Sequence, residues 1–159
     1  MKKFLKISLL IFATMLIVIG CKKETDASLI NVWEITGVEL KDITFAEDVS
    51  LITQASIRAA LTMVVEQYGN NEMMGGQFEF RENNVVLFFD PDETVPYTGT
   101  YSIAGDKLTI STVFGVDLTG TYSISKNRMF WDIEPTGVFF NLDDLPITSL
   151  VFRFTLNKR

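Results

Sequence analysis

Histidine is absent from this 159-residue chain, and cysteine occurs once, as Cys21. Without histidine the commonest general base and the commonest metal ligand are both missing. Ser/His and Cys/His catalytic pairs and zinc sites of ordinary composition are therefore excluded. A lone cysteine forms no disulfide within the chain. Positive charge is also in deficit, with 14 Lys and Arg against 20 Asp and Glu. An acidic surface repels phosphate backbones, so no nucleic-acid partner is expected. Carboxylates are the titratable groups left for chemistry. Asp90, Asp92 and Glu93 lack the length and spacing of a calcium loop and read as a solvated turn around Pro91, and Asp143 with Asp144 reads as a capped turn. No metal, no cofactor and no catalytic residue is expected.

What is present begins with a strongly biased N-terminus. Met1 to Gly20 holds Lys2, Lys3 and Lys6, no acidic residue, and an apolar run from Ile7 to Ile19. That run is short for a membrane span of about 20 residues. It ends in Val18-Ile19-Gly20-Cys21, which resembles the lipobox of bacterial lipoproteins. The resemblance implies a signal peptide over residues 1–20, acyl chains on Cys21, and a lipidated tether over 21–28. Two or three acyl chains, each contributing about 0.8 kcal/mol per buried methylene, hold a protein on a membrane. Taking the three leader lysines from the 14 basic residues leaves 11 against 20 acidic, a balance of −9. Contact with anionic lipid would then depend on the acyl chains rather than on charge.

Residues 29–159 make about one domain, built around a repeated phrase. Thr98-Gly99-Thr100-Tyr101-Ser102-Ile103 returns unchanged as Thr119-Gly120-Thr121-Tyr122-Ser123-Ile124. In each copy Thr, Thr and Ser alternate with Gly, Tyr and Ile, the period of a half-buried strand. Each copy is followed by a turn and a second alternating run, Leu108 to Ser111 or Met129 to Asp132. Two tandem β-hairpins are expected. Further strands are expected near Val32, Gln77, Val85 and Thr148, for eight in all. Between the first and second, the capping-box spacing of Thr44 and Glu47 and the stop at Gly69 predict one helix. Ile57, Leu61, Val64 and Tyr68, widened by Ala60 and Val65, form its apolar stripe. That helix would lie across a barrel mouth or along its wall, covering Phe88 and Phe130.

Eight antiparallel strands in meander order favour a closed up-and-down barrel over an open sandwich. Trp33, Phe78, Phe80, Tyr101, Tyr122, Trp131, Phe152 and Phe154 fall on the faces assigned inward. In a hollow barrel they line a site for an apolar ligand; in a filled one they are the core. Phe88, Phe130, Phe139 and Phe140 are assigned outward or to a long connection.

Trp33 after Leu29, the Phe78-Glu79-Phe80 strand, and Gly99-Thr100-Tyr101-Ser102-Ile103-Ala104-Gly105-Asp106-Lys107-Leu108-Thr109-Ile110 together resemble the lipocalin-like lipoproteins of Bacteroidetes. Asn31 stands where lipocalins carry glycine, and the helix sits where fatty-acid-binding proteins carry their lid. The resemblance implies a lipocalin-like barrel, an outer-membrane lipid anchor in the bacterial cell envelope, and a small hydrophobic ligand. Lys22 after Cys21, in place of a retaining Asp, also points to the outer membrane, with the leaflet left open. The expectation is thus a non-enzymatic barrel lipoprotein binding a small hydrophobic molecule or lipid, or a filled barrel acting as a protein-interaction module on an envelope protein.

Overall fold

In the computed structural model, residues 28–111, 116–134 and 145–159 are described. The expected signal peptide, Cys21, most of the expected tether, Phe139, Phe140, Asp143 and Asp144 lie outside them. Eight strands form a closed, wholly antiparallel barrel in sequence order: β1 Val32–Phe45, β2 Gln77–Arg81, β3 Val85–Phe89, β4 Tyr97–Ala104, β5 Lys107–Ser111, β6 Asp117–Ser125, β7 Arg128–Ile133 and β8 Ile147–Lys158. One helix, α1 Leu51–Tyr68, lies between β1 and β2. The protein is mainly β, as the alternation predicts.

The two copies of the repeated phrase are β4 and β6, and each pairs with its following strand in the same register. Tyr101 faces Ile110 and Ile103 faces Leu108; 21 residues on, Tyr122 faces Trp131 and Ile124 faces Met129. The Thr and Ser side chains point to solvent, and Tyr101 is buried. Equivalent turn positions hold Gly105 and Lys126, both at positive φ (62° and 56°). Glycine adopts that region freely, whereas lysine does so at a steric cost.

β8 carries its inward residues at strict period two, Leu150, Phe152, Phe154 and Leu156. Their partners on β1 are Ile43, Leu40, Val38 and Ile35. The parity of β1 therefore changes twice, at register shifts between Ile35 and Gly37 and between Leu40 and Asp42. Each such bulge inserts one residue and bends the strand, which lets a long wall strand follow a closing barrel.

The first turn of the helix is not where the sequence places it. Asp42, Ile43, Thr44 and Phe45 remain paired with β8, so the Thr44 to Glu47 spacing caps nothing. Ser50 is the cap, its hydroxyl accepting from the Thr53 amide at 3.2 Å. The buried stripe is Leu61 and Val65 with Ile57 partly covered, while Val64 and Ala60 face outward. β1 pairs with β2 over only three residues, Val32 to Glu34. Along the rest of that seam α1 packs on β1, with Arg58 donating to the Ile43 carbonyl at 3.3 Å. The helix thus lies against the wall at the barrel's weakest pairing. A π-helical turn, Gly69–Met73, returns the chain to β2, and Gly75 and Gly76 exchange backbone bonds with Ile35. Among the described residues, no helix is long and apolar enough to cross a membrane.

Candidate functional site: the barrel interior

The two ends of the barrel are built differently. At one end β2–β3, β4–β5 and β6–β7 are joined by turns of two or three residues, and the N-terminal segment folds in beneath them. Leu29, fully buried, joins the core there, and its carbonyl accepts from Trp33 Nε1 at 2.9 Å. The Asn31 carbonyl accepts from the Phe80 amide at 2.9 Å. Tyr101 Oη, pushed up in pKa by burial, donates to the Arg81 carbonyl at 2.9 Å. Leu108, Met129 and Leu156 close the remaining space with no exposure. This end is a stopper of satisfied polar groups and aliphatic side chains.

At the opposite end consecutive strands lie farther apart in sequence, with β3 and β4 separated by residues 90–96, β5 and β6 by 112–116 and β7 and β8 by 134–146, and β1 leads there into α1. Inward residues near it, Phe45, Phe88, Leu118 and Ile147, are only partly buried against the core. Phe88 is a correction to the sequence reading. It pairs directly with Phe78 and shares its face, with ring centroids 4.9 Å apart, so it belongs to the lining. The apolar run of β3 hid this, because a strand with no polar face has no readable parity. Phe130 does face outward, and α1 does not cover it; Arg153 lies over its ring at 5.3 Å.

The structure brings the expected aromatic set together. Trp33, Phe78, Phe80, Tyr101, Trp131, Phe152 and Phe154 are all buried, and Tyr122 is half-buried against the same core. Phe80 meets Tyr101 edge to face at 5.1 Å, and Phe78 meets Trp131 likewise at 6.0 Å. Among the described residues, no polar or charged side chain is buried beside them. Among the described residues one buried side-chain atom breaks the pattern of satisfied groups: Trp131 Nε1 has no hydrogen-bond partner. Sequence reasoning placed the indole inward without showing that its N–H would stand alone, since that depends on which carbonyls lie across the barrel.

Among the described residues no charged side chain is buried, and the charges carried by the strands lie on the outer wall. Asp132 on β7 receives Arg153 Nε and Nη2 at 2.7 and 2.9 Å and an ion pair from Lys41. Partial burial acts to raise the Asp132 carboxyl, but the bonds and charges of Arg153 and Lys41 outweigh it and hold it below the ordinary carboxylate range. The group's folded pKa lies below its unfolded value of about 3.9, so its contribution is present above that pH and is lost as pH falls through the lower folded value. Asp132→Asn is expected to cost about 1–2 kcal/mol near neutrality, a modest figure because both cations are partly solvated. The difference from wild type, read by urea unfolding, should close in acid; an equal difference at both pH values would contradict this role. A groove of about 450 Å³ runs beside the triad, lined by Lys41, Lys107, Thr119, Thr121, Asp132 and Glu134 among others. Its charges are of both signs, and Lys41 and Asp132 are already paired.

A second surface is apolar. On α1, Leu51 is 81% exposed, Ile52 82% and Met63 68%. The helix carries only Arg58 and Glu66 as charges in 18 residues. Among the described residues, no three His, Cys, Asp or Glu side chains converge as a cation site requires. Comparison with protein-family models and with curated proteins finds no match to this chain.

Proposed function

We propose that this protein is a lipid-anchored, lipocalin-like envelope protein that holds a small hydrophobic molecule in its barrel, and that its role is binding rather than catalysis. The observation that carries this reading is the barrel's lining: aromatic and aliphatic throughout the described interior, shut at one end, with consecutive strands farther apart in sequence at the other. Such a lining binds by burial, at roughly 25 cal/mol per Å² of apolar surface removed from water. The absence of histidine from the sequence weighs against general-base chemistry. The anchor rests on the lipobox-like Val18-Ile19-Gly20-Cys21 and on the resemblance to bacterial lipoproteins.

The test is native mass spectrometry of the chain purified from its own cells, followed by organic extraction. A discrete apolar adduct that extraction removes supports the reading. A bare mass that also refuses a panel of apolar ligands overturns it. The anchor is checked separately: Cys21→Ala should remove the acyl mass and release the protein from the membrane fraction.

The exposed stripe on α1 favours one other reading, a protein-interaction module of the envelope. A photocrosslinker at Met63 would then give one discrete adduct in intact cells, lost with Ile52→Glu. A smear, or an adduct indifferent to Ile52→Glu, would count against it.

A further inference from the structure

We infer that a groove on the outer wall, at the stoppered end of the barrel, binds the phosphate group of an anionic lipid headgroup. The groove has a volume of about 580 Å³ and is lined by Lys126, Arg128 and Lys158 with Ser125, Asn127 and Asn157. Three exposed cations and three neutral hydrogen-bonding side chains meet there, and no carboxylate is among them. Arg128 stands between Ser125 on β6 and Asn157 on β8 in register, and the Lys158 amide donates to the Asn127 carbonyl at 2.8 Å. Strand pairing and that bond fix the β6–β7 turn against the end of β8. Guanidinium and ammonium groups side by side are donors suited to the several acceptor oxygens of a phosphate. Phe130 gives the groove an apolar side, against which the glycerol of a headgroup can lie.

The repeated hairpin supplies an internal comparison. At the matching turn the first copy reads Gly105-Asp106-Lys107 and the second reads Lys126-Asn127-Arg128. Both copies keep the same register, so a glycine and a turn of no net charge satisfy the fold. The second copy instead carries two positive charges, and it holds a lysine at φ 56°, where glycine is the unstrained choice. A backbone cost borne at one of two equivalent turns points to function there. Among the described residues none of the three groove cations is in an ion pair. The neighbouring outer-wall carboxylates, Glu34 and Asp132, are held by Arg159 and by Arg153 with Lys41.

Position names the carrier of the phosphate. Lys158 pairs with Trp33 at the start of β1, where the chain enters from the tether. Seven residues, 22 to 28, follow Cys21, a reach of at most about 25 Å. On the lipid-anchored reading above, on which this inference rests, the groove's end of the barrel is held within reach of headgroups. The balance of −9 over residues 21–159 is a sum, and close to a bilayer the local charge decides contact.

The full ¹⁵N-labelled chain, kept soluble in a non-ionic amphipathic polymer, is titrated with dihexanoyl phosphatidylglycerol, dihexanoyl phosphatidylcholine and inorganic phosphate. The two lipids share their chains, so any shift caused by chains entering the barrel appears with both. Of the two, only phosphatidylglycerol should move the backbone amides of Asn127, Arg128, Asn157 and Lys158, leaving Gly105 and Asp106 in place. It should bind at least about tenfold tighter than phosphatidylcholine, whose choline neutralises its phosphate. Inorganic phosphate should move the same amides at higher concentration. Lys126→Gly, which installs the residue of the sister turn, should raise the denaturant midpoint and weaken phosphatidylglycerol about fivefold, one surface cation's worth. Adding Arg128→Gln and Lys158→Gln should bring the loss to about a hundredfold. If phosphatidylcholine binds as tightly, or Lys126→Gly binds as well as wild type, the site fails. If inorganic phosphate moves these amides and neither lipid does, the phosphate comes from another source and the headgroup assignment fails. Cys21→Ala reads the anchor separately, so a chain without acyl groups is told apart from one whose groove does not bind.

Discussion

Gly120→Ala is expected to be the most damaging single methyl in the protein, costing more than about 4 kcal/mol or preventing folding altogether. A Cβ built at Gly120 would lie 2.0 Å from the Asp132 carbonyl oxygen, 2.7 Å from its carbon and 2.9 Å from Ile133 Cα. These are backbone atoms of the paired strand, so no side-chain rotation relieves the clash; β6 and β7 must part. Parting them loosens the pairs Gly120 with Ile133 and Thr121 with Asp132, and with them the Asp132 ion-pair triad. Glycine inside a strand often marks such a close approach, and costs of this size come from a short list of causes that includes forced backbone strain. Gly37→Ala supplies the contrast. Its added Cβ would meet the Thr155 side chain at 3.6 Å, an ordinary contact. Urea unfolding of both variants, followed by tryptophan fluorescence, checks the claim. Equal stabilities would mean that the strands accommodate the methyl group by a small shift.

Trp33→Ala comes second, with an expected loss of about 3–5 kcal/mol. Trp33 is fully buried at the stoppered end, pairs in register with Phe78, and donates its indole N–H to the Leu29 carbonyl. Removing it empties a large volume and frees the carbonyl that holds the N-terminal segment under the barrel. The surrounding strands are tied to one another on both sides, so collapse into the gap is limited and the cavity term persists. The loss should appear in denaturant midpoint. Trp33→Phe should recover most of it, falling short by the lost hydrogen bond, about 1 kcal/mol. If Trp33→Ala costs no more than a surface substitution, the stopper is not structural and that end of the barrel is open.

Much of this was readable in the chain. Alternation is a local property, and in β4, β6, β7 and β8 it runs unbroken, so Tyr101, Trp131, Phe152 and Phe154 fell on the correct face. The repeated phrase fixed two hairpins because both copies carry the same register and the same turn position. β1 resisted for a physical reason. Its two bulges change which parity faces inward, and only pairing with β8 shows where they fall. The helix start failed in the same place: Thr44 and Glu47 satisfy a local capping rule, but ladder bonds to β8 compete for that backbone and win.

The sequence by itself determined the eight strands, their hairpins, the single helix and most of the inward set, because all of these follow from spacing over a few residues. It also set the chemistry available, since histidine is missing from every position. The tertiary structure alone decided the docking of α1 along the β1–β2 seam and the inward turn of Phe88. It alone joined Lys41, Asp132 and Arg153 on the outer wall, left no room for a Cβ at Gly120, and buried Trp131 Nε1 without an acceptor. Each of these depends on which backbone atoms meet across strands distant in the chain, and side-chain periodicity carries no record of that.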